Sequence, residues 1–369
     1  MSFLLRKNIV NSCLLAFYIW AISLYYLIAS LRIASFLIFA LIFFIAIYKL
    51  KKVIFKRNVI LLLWSYFFFS IVVQIINSSL SHFSLFLLAG PTLGFWIHYS
   101  NFNISFLKSS FAFMIVLLLL LFMRHHSFAG VFDGLSENYI SVIMICNTIL
   151  IAGIEYKQYC NLSVWPAVCC LFLSVLSWGR AGILCSCLLL LLVLFSYWVK
   201  MSFKKKIVLL VFFLVVLLCI IIRSYDLIVD FVENAEVLSK FQERGLESPS
   251  RGILIDEYFS HINWKTFLLG YKFDNNPWFI HYGLNPHNSY IRLHYQIGIV
   301  AICFFIYALL ILFRLLKRNL LLFAMVSVLL LRAFTDVYLF FGMYDFLFFF
   351  LLLFASKTKN ESNEVLLSK

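Results

Sequence analysis

Apolar residues run along this chain in long blocks rather than in strict alternation. Twelve stretches, at about 9–31, 33–48, 59–76, 84–98, 106–123, 139–154, 162–178, 181–199, 207–222, 293–313, 320–331 and 337–354, are separated by short polar breaks. About 20 apolar residues suffice to cross a bilayer as a helix, the fold that satisfies its own backbone hydrogen bonds in lipid. The pattern predicts an all-α polytopic membrane protein with about twelve transmembrane helices, a count good to about two because several stretches are short. One polar interval is long. It divides the chain into helices 1–9 over residues 1–222, an extracytoplasmic loop over 223–292, helices 10–12 over 293–354 and a cytoplasmic tail over 355–369. The loop mixes Tyr258, Trp264, Tyr271 and Trp278 with acidic residues, which favours an ordered cap on the membrane face over a linker.

Composition removes the soluble alternatives. The 369 residues are 64% hydrophobic and 12% charged, against roughly 45–50% and about 25% in soluble domains. The net charge of +14 would suggest nucleic acid in a soluble protein, but its placement excludes that partner. With the N-terminus inside, Lys49, Lys51, Lys52, Lys56, Arg57, Lys108, Lys157, Lys200, Lys204, Lys205, Lys206, Arg314, Lys317 and Arg318 all fall on the cytoplasmic side, with tail residues Lys357, Lys359 and Lys369. The basic start, Met1 to Lys7, leads into a run too long for a signal-peptide core and reads as a retained first span. The nine Cys lie in apolar runs or at their edges, which supports neither a disulfide scaffold nor a Cys metal site.

The outward short loops carry only Arg: Arg32, Arg124, Arg180 and Arg332. A guanidinium fork suits phosphate better than the point charge of Lys. Arg32 and Arg124 read more simply as anchors at lipid headgroups. Arg180 differs, because Ser177-Trp178-Gly179-Arg180-Ala181-Gly182 is a tight break between two apolar runs, and Arg at the membrane boundary is usually paired and functional. Arg251 opens an amphipathic stretch, with an ordinary surface Arg as its alternative. Asn285-Pro286-His287-Asn288-Ser289-Tyr290-Ile291-Arg292 precedes the tenth span, and a His beside Arg can act as general base. His281, His287 and His294 lie in one region, but their spacing matches no zinc motif. No P-loop, Rossmann fingerprint or nucleophile elbow occurs.

Together these segments resemble the O-antigen ligase and O-antigen polymerase superfamily of bacterial envelope glycosyltransferases. Trp178-Gly179-Arg180-Ala181-Gly182 is similar to its Ser-Arg-Gly element, with Gly179 where Ser is usual. Arg251 to Ile255 and Phe267-Leu268-Leu269-Gly270 are similar to an Arg-x-x-x-Leu element and its sequel. Pro286-His287-Asn288-Ser289-Tyr290 with Gly298 resembles the His-Asn element, Ala301 replacing a second glycine, and Ser136-Glu137-Asn138-Tyr139 resembles the start of an earlier span.

The resemblance implies a GT-C-like, metal-independent, inverting glycosyltransferase of the inner membrane without a cofactor. It would act at the periplasmic face on undecaprenyl-diphosphate-linked oligosaccharide in the lipid bilayer, with a chain-length regulator as a further partner. His287 would serve as base and Arg180 and Arg251 would hold the diphosphate. Asn288, Arg292, Arg332 and Asn138 would support substrate binding, and Trp264, Tyr271 and Trp278 would stack on sugars or anchor the cap at the interface. A polymerase is the expectation. A ligase that transfers to lipid A-core is its rival, and a lipid-linked oligosaccharide flippase the alternative of another class.

Overall fold

The computed structural model describes residues 2–51, 57–79, 82–128, 131–132, 137–206 and 249–356. The expected ninth span at 207–222, the loop segment 223–248, Ser136, Lys52, Lys56 and the tail lysines lie outside the described residues. Among the described residues the regular structure is entirely helical. In the first half, α1 (Ser2–Leu27), α2 (Arg32–Leu50), α3 (Arg57–Ile76), α4 (Phe86–Tyr99), α5 (Ile104–His125), α6 (Asn138–Tyr159), α7 (Trp165–Leu176) and α8 (Arg180–Lys200) follow the first eight apolar stretches. Four shorter helices come next: α9 (Pro249–Ser260), α10 (Trp264–Leu269), α11 (Pro277–His281) and α12 (Ser289–Ile297). The chain closes with α13 (Ile299–Arg318), α14 (Leu320–Ala333) and α15 (Asp345–Leu352).

Six of the described segments are long and apolar enough to cross a membrane: Asn8–Leu27, Ala29–Leu50, Ile104–His125, Asn138–Tyr159, Arg180–Lys200 and Ile299–Arg318. Two expected spans are built differently from the hydropathy pattern. The run at 293–313 breaks at Gly298, whose φ of 51° and ψ of −129° belong to a region that L-residues avoid, so α12 ends in the cap and α13 begins afresh. The run at 337–354 is α-helical only from Asp345. Before it, Phe340 (φ 56°) and Phe341 (φ 73°) turn through the left-handed region, while the Asp345 carboxylate accepts backbone N–H bonds from Phe340, Phe341 and Gly342 at 2.6, 2.9 and 3.3 Å.

At the centre stands α6, buried continuously from Ile140 to Glu155. Small residues let its neighbours approach, as is usual where helices pack without a hydrophobic driving force. A Cβ on Gly90 or Gly94 of α4 would lie 2.8 Å from the Cβ of Asp345 or Phe349 on α15, and one on Gly153 of α6 would lie 2.7 Å from the Phe350 ring.

One end of the bundle is tied by polar clasps. The Lys49 ammonium donates to Asn11, which in turn donates to the Asn101 carbonyl at 3.3 Å. Lys108 pairs with Glu155 at 2.5 Å, Lys157 donates to the Ser100 carbonyl at 2.6 Å, Lys200 to the Cys160 carbonyl at 2.6 Å, and Asn319 to the Tyr156 hydroxyl at 2.6 Å. Five cations that the sequence assigns to one face, Lys49, Lys108, Lys157, Lys200 and Arg318, thus decorate the ends of α2, α6, α8 and α13 and the start of α5.

Helices α9 to α12 form a cap with a small core of its own: Leu254, Tyr258, Phe273, Phe279 and Ile291. Three of these helices start on an Asn whose side-chain oxygen accepts the first free N–H groups: Asn263, Asn276 and Asn288. His294 bolts the cap together, with Nδ1 2.7 Å from the Tyr258 hydroxyl and Nε2 3.0 Å from the Phe267 carbonyl. A carbonyl only accepts, so Nε2 carries the hydrogen and Nδ1 accepts from Tyr258. The α10 end meets the α12–α13 joint backbone to backbone. A Cβ on Gly298 would fall 2.1 Å from the Leu268 oxygen, and one on Gly270 (φ 88°) would fall 2.4 Å from the His294 oxygen.

Candidate functional site

Between the cap and the bundle lies a cavity of about 610 Å³, at the opposite end from the lysine clasps, within the size range of sites that enclose small ligands. The α2 and α6 starts contribute Arg32, Asn138 and Tyr139, the α1 end contributes Tyr25 and Tyr26, and α9 contributes Arg251. The turn before α12 contributes Asn285, Pro286 and His287, α12 itself Arg292 and Tyr295, and the α14–α15 connection Asp336, Phe341 and Gly342. Three guanidinium groups, Arg32, Arg251 and Arg292, face two carboxylates, Asp274 and Asp336.

Local backbone geometry puts His287 there. Its φ is 48°, a left-handed conformation uncommon for a residue with a Cβ, and its N–H donates to the Asn285 side chain at 2.9 Å, closing a tight turn over Pro286. Burial lowers the His287 pKa from its ordinary value; the Asp336 carboxylate opposes this and the Arg251 guanidinium adds to it. The imidazole is therefore mostly neutral at pH 7, the form that can accept a proton. For Arg251 burial again acts first and downwards, Asp336 opposes it, and Arg332 and Arg180 push further down. These four charged groups and His287 thus form one electrostatic cluster, and Arg251 still stays protonated at any physiological pH.

Behind the wall, Arg332 is 1% exposed. It forms an ion pair with Asp336, four residues on, bonds to Thr335, and reaches the Asn138 carbonyl and Ser141 hydroxyl at 3.4 Å each. The start of α8 sits against the same two residues. A Cβ on Gly179 would lie 2.6 Å from the Asn138 side-chain oxygen, and one on Gly182 2.2 Å from the Ser141 hydroxyl. The glycines flanking Arg180 thus let α8 begin directly on α6, which brings Arg180 within electrostatic reach of Arg251.

Of the residues singled out from the sequence, His287, Arg251, Arg292 and Asn138 line the cavity. Arg180 stands next to this group without lining it, and Arg332 holds Asp336 from behind rather than facing the space. The Asn288 oxygen is engaged in capping α12, accepting from Tyr290 and Ile291 at 2.8 and 3.1 Å. Trp264 is 78% exposed, Trp278 is half exposed, and Tyr271 stacks on His261 at 4.7 Å; none of the three lines the cavity. Sequence reasoning missed Asp336, whose only signal is an acid four residues after Arg332 in an otherwise apolar run. It also left Arg32 at the headgroups, whereas this side chain lines the cavity. Among the described residues no group of three or more His, Cys, Asp or Glu is placed to hold a metal ion.

Residues 165–306 match a family model described as O-antigen ligase. The match supports a relation of this segment to the O-antigen polymerase and ligase superfamily. Members of the family are glycosyltransferase-like enzymes acting on lipid-linked glycans in a membrane. The matched segment carries Arg180, Arg251, His287 and Arg292, while Arg32, Asn138, Arg332 and Asp336 lie outside it. No curated protein and no solved structure matches the chain.

Proposed function

We propose that the protein is a surface-polysaccharide polymerase of the inner membrane, moving a glycan from undecaprenyl diphosphate onto a lipid-linked repeat unit at the periplasmic face. The observation that carries this reading is the meeting of His287, Arg251 and Asp336 at one cavity, on the end of the bundle away from the lysine clasps. The acceptor hydroxyl oxygen attacks the anomeric carbon and passes its proton to the neutral His287 imidazole. The bond from that carbon to the diphosphate oxygen breaks, its electron pair leaving with the lipid diphosphate. Direct displacement inverts the anomeric centre and asks for no metal, because Arg251, with Arg180 beside it, meets the charge that grows on the leaving group. Asp336, fixed by Arg332, keeps the imidazole and the guanidinium from repelling one another as the proton arrives.

General-base removal usually lowers rate about 10²–10⁴-fold, so His287→Ala should abolish long chains in cells, as should Arg180→Ala if Arg180 grips the diphosphate. Normal chain length in both variants would overturn the site. The ligase reading is favoured by the description of the matched family. Gene deletion separates the two: lipopolysaccharide bearing a single repeat unit on its core supports a polymerase, and core with no repeat unit supports a ligase. Elongation by purified protein without a membrane gradient would dismiss a flippase.

A further inference from the structure

The cavity is cationic in two places. On one side Arg251 lies in the field of Asp336, Arg332 and Arg180, with His287 beside it. In a second group, Arg32 and Arg292 both act on Tyr25, Arg292 also acts on Tyr26, and the two share Tyr139 with Arg332 and Asp336. The Arg32 guanidinium lies 5.8 Å over the Tyr25 ring and has no carboxylate partner among the described residues. Tyr26 packs edge-on to Tyr25 at 5.4 Å and stacks on Tyr139 at 5.1 Å, so an aromatic wall flanks this second pair of cations. A headgroup anchor would need only to reach the membrane surface; Arg32 instead borders the same cavity as His287.

This inference rests on the glycosyl-transfer reading. Joining two lipid-linked glycans brings two diphosphates to one cavity, and only the donor's departs. The acceptor's diphosphate keeps its charge from binding to product, so groups that hold it bind ground state and transition state alike and act on KM rather than kcat. We infer that Arg32 and Arg292 form a second anion site, which holds the diphosphate of the acceptor lipid while the Arg251 side takes that of the donor. Paired guanidinium groups give the charge-assisted hydrogen bonds that a diphosphate requires, and the tyrosine wall offers ring faces to the first acceptor sugar. A phosphorylated lipid core would present the same chemistry, so the test includes one.

The full chain in nanodiscs would be supplied with polyprenyl-diphosphate donor and a tagged acceptor repeat unit, the latter carbon-linked to a lipid diphosphonate and so unable to donate. Arg32→Ala, a change at an exposed side chain, should raise the acceptor KM tenfold or more and leave kcat and donor KM within twofold, with Arg32→Lys in between. A neutral alkyl-glycoside acceptor should show no such difference. Loss in kcat or donor KM, or an equal defect with the neutral acceptor, would overturn the assignment, as would a KM effect confined to a phosphorylated core glycolipid. Calorimetry with inorganic pyrophosphate reads the site without catalysis: two ions bound by the parent and one by the Arg32→Ala, Arg292→Ala double variant are expected. That result in a protein which transfers nothing would uphold the anion site and sink the transferase reading. One ion bound by both proteins would refute the second site whatever the activity.

Discussion

The Arg332–Asp336 pair offers the sharpest test of how the cavity is held. Arg332 is 1% exposed and Asp336 5%, so replacing Arg332 by Met leaves a buried carboxylate without its ion-pair partner, with Arg251 and His287 the cavity groups within its field. Breaking a buried pair by removing one partner typically costs about 3–5 kcal/mol, whereas replacing both by apolar residues of similar volume is often neutral or stabilising. Arg332→Met and Asp336→Leu should therefore each lose about 3–5 kcal/mol, and the double variant should come back to within about 1 kcal/mol of the parent. Unfolding by SDS titration in mixed micelles, followed by tryptophan fluorescence, measures all four corners of the cycle. The double variant should nonetheless be inactive, because Asp336 is absent from the cavity. Single variants that lose less than about 1 kcal/mol, the range of exposed pairs, would show that water reaches the pair and that the wall is not sealed. A double variant that loses the sum of the two single losses would show that the two side chains act independently.

Further outcomes follow from the same geometry. The folded pKa of His287 lies below the ordinary histidine value, so the imidazole remains a base at neutral pH and the acidic limb of kcat/KM should fall below about pH 6.5. Asp336→Asn removes the group that raises this pKa and should move the limb to still lower pH; an upward shift in purified protein would contradict the arrangement. On stability the sign is the same: between about pH 6.5 and the folded pKa the unfolded chain takes up the proton first, so acidification weakens the fold there. Gly298→Ala combines a disfavoured φ with a Cβ 2.1 Å from the Leu268 oxygen, a displacement neither backbone can absorb cheaply. Limited proteolysis should release the cap in this variant, and a protease pattern identical to the parent's would refute the close crossing.

Hydropathy made the first eight helices legible because each apolar block there ends at a real helix end. It failed where backbone geometry decides. Gly298 sits inside an apolar run, and nothing in residue polarity says that the chain reverses its φ there. The segment before Asp345 is as apolar as any helix, yet its carboxylate gathers three N–H groups and holds a left-handed turn instead. For the site, His287, Arg251, Arg292 and Arg180 were legible since polar residues beside membrane runs stand out. Asp336 was not, because its importance comes from the burial of Arg332 against it, and Arg32 was not, because an anchor and a cavity wall share the same sequence position. Trp264, Tyr271 and Trp278, attractive residue types for stacking on sugars, do not line the cavity.

The two extremities of the bundle are constructed on different terms. Where Lys49, Lys108, Lys157 and Lys200 sit, each of these four cations is bonded to a neighbouring element, so spreading the helices apart there would break several bonds at once. At the far extremity a few short helices roof the cavity, held to one another by His294 and two glycine crossings and to the bundle by Ser289 on the Asp336 carbonyl, Tyr290 on the Leu330 carbonyl and Asn77 on the Gly270 and Tyr295 carbonyls. On the glycosyl-transfer reading proposed above, a bulky glycan would be admitted at this capped end rather than between the clasped helix ends.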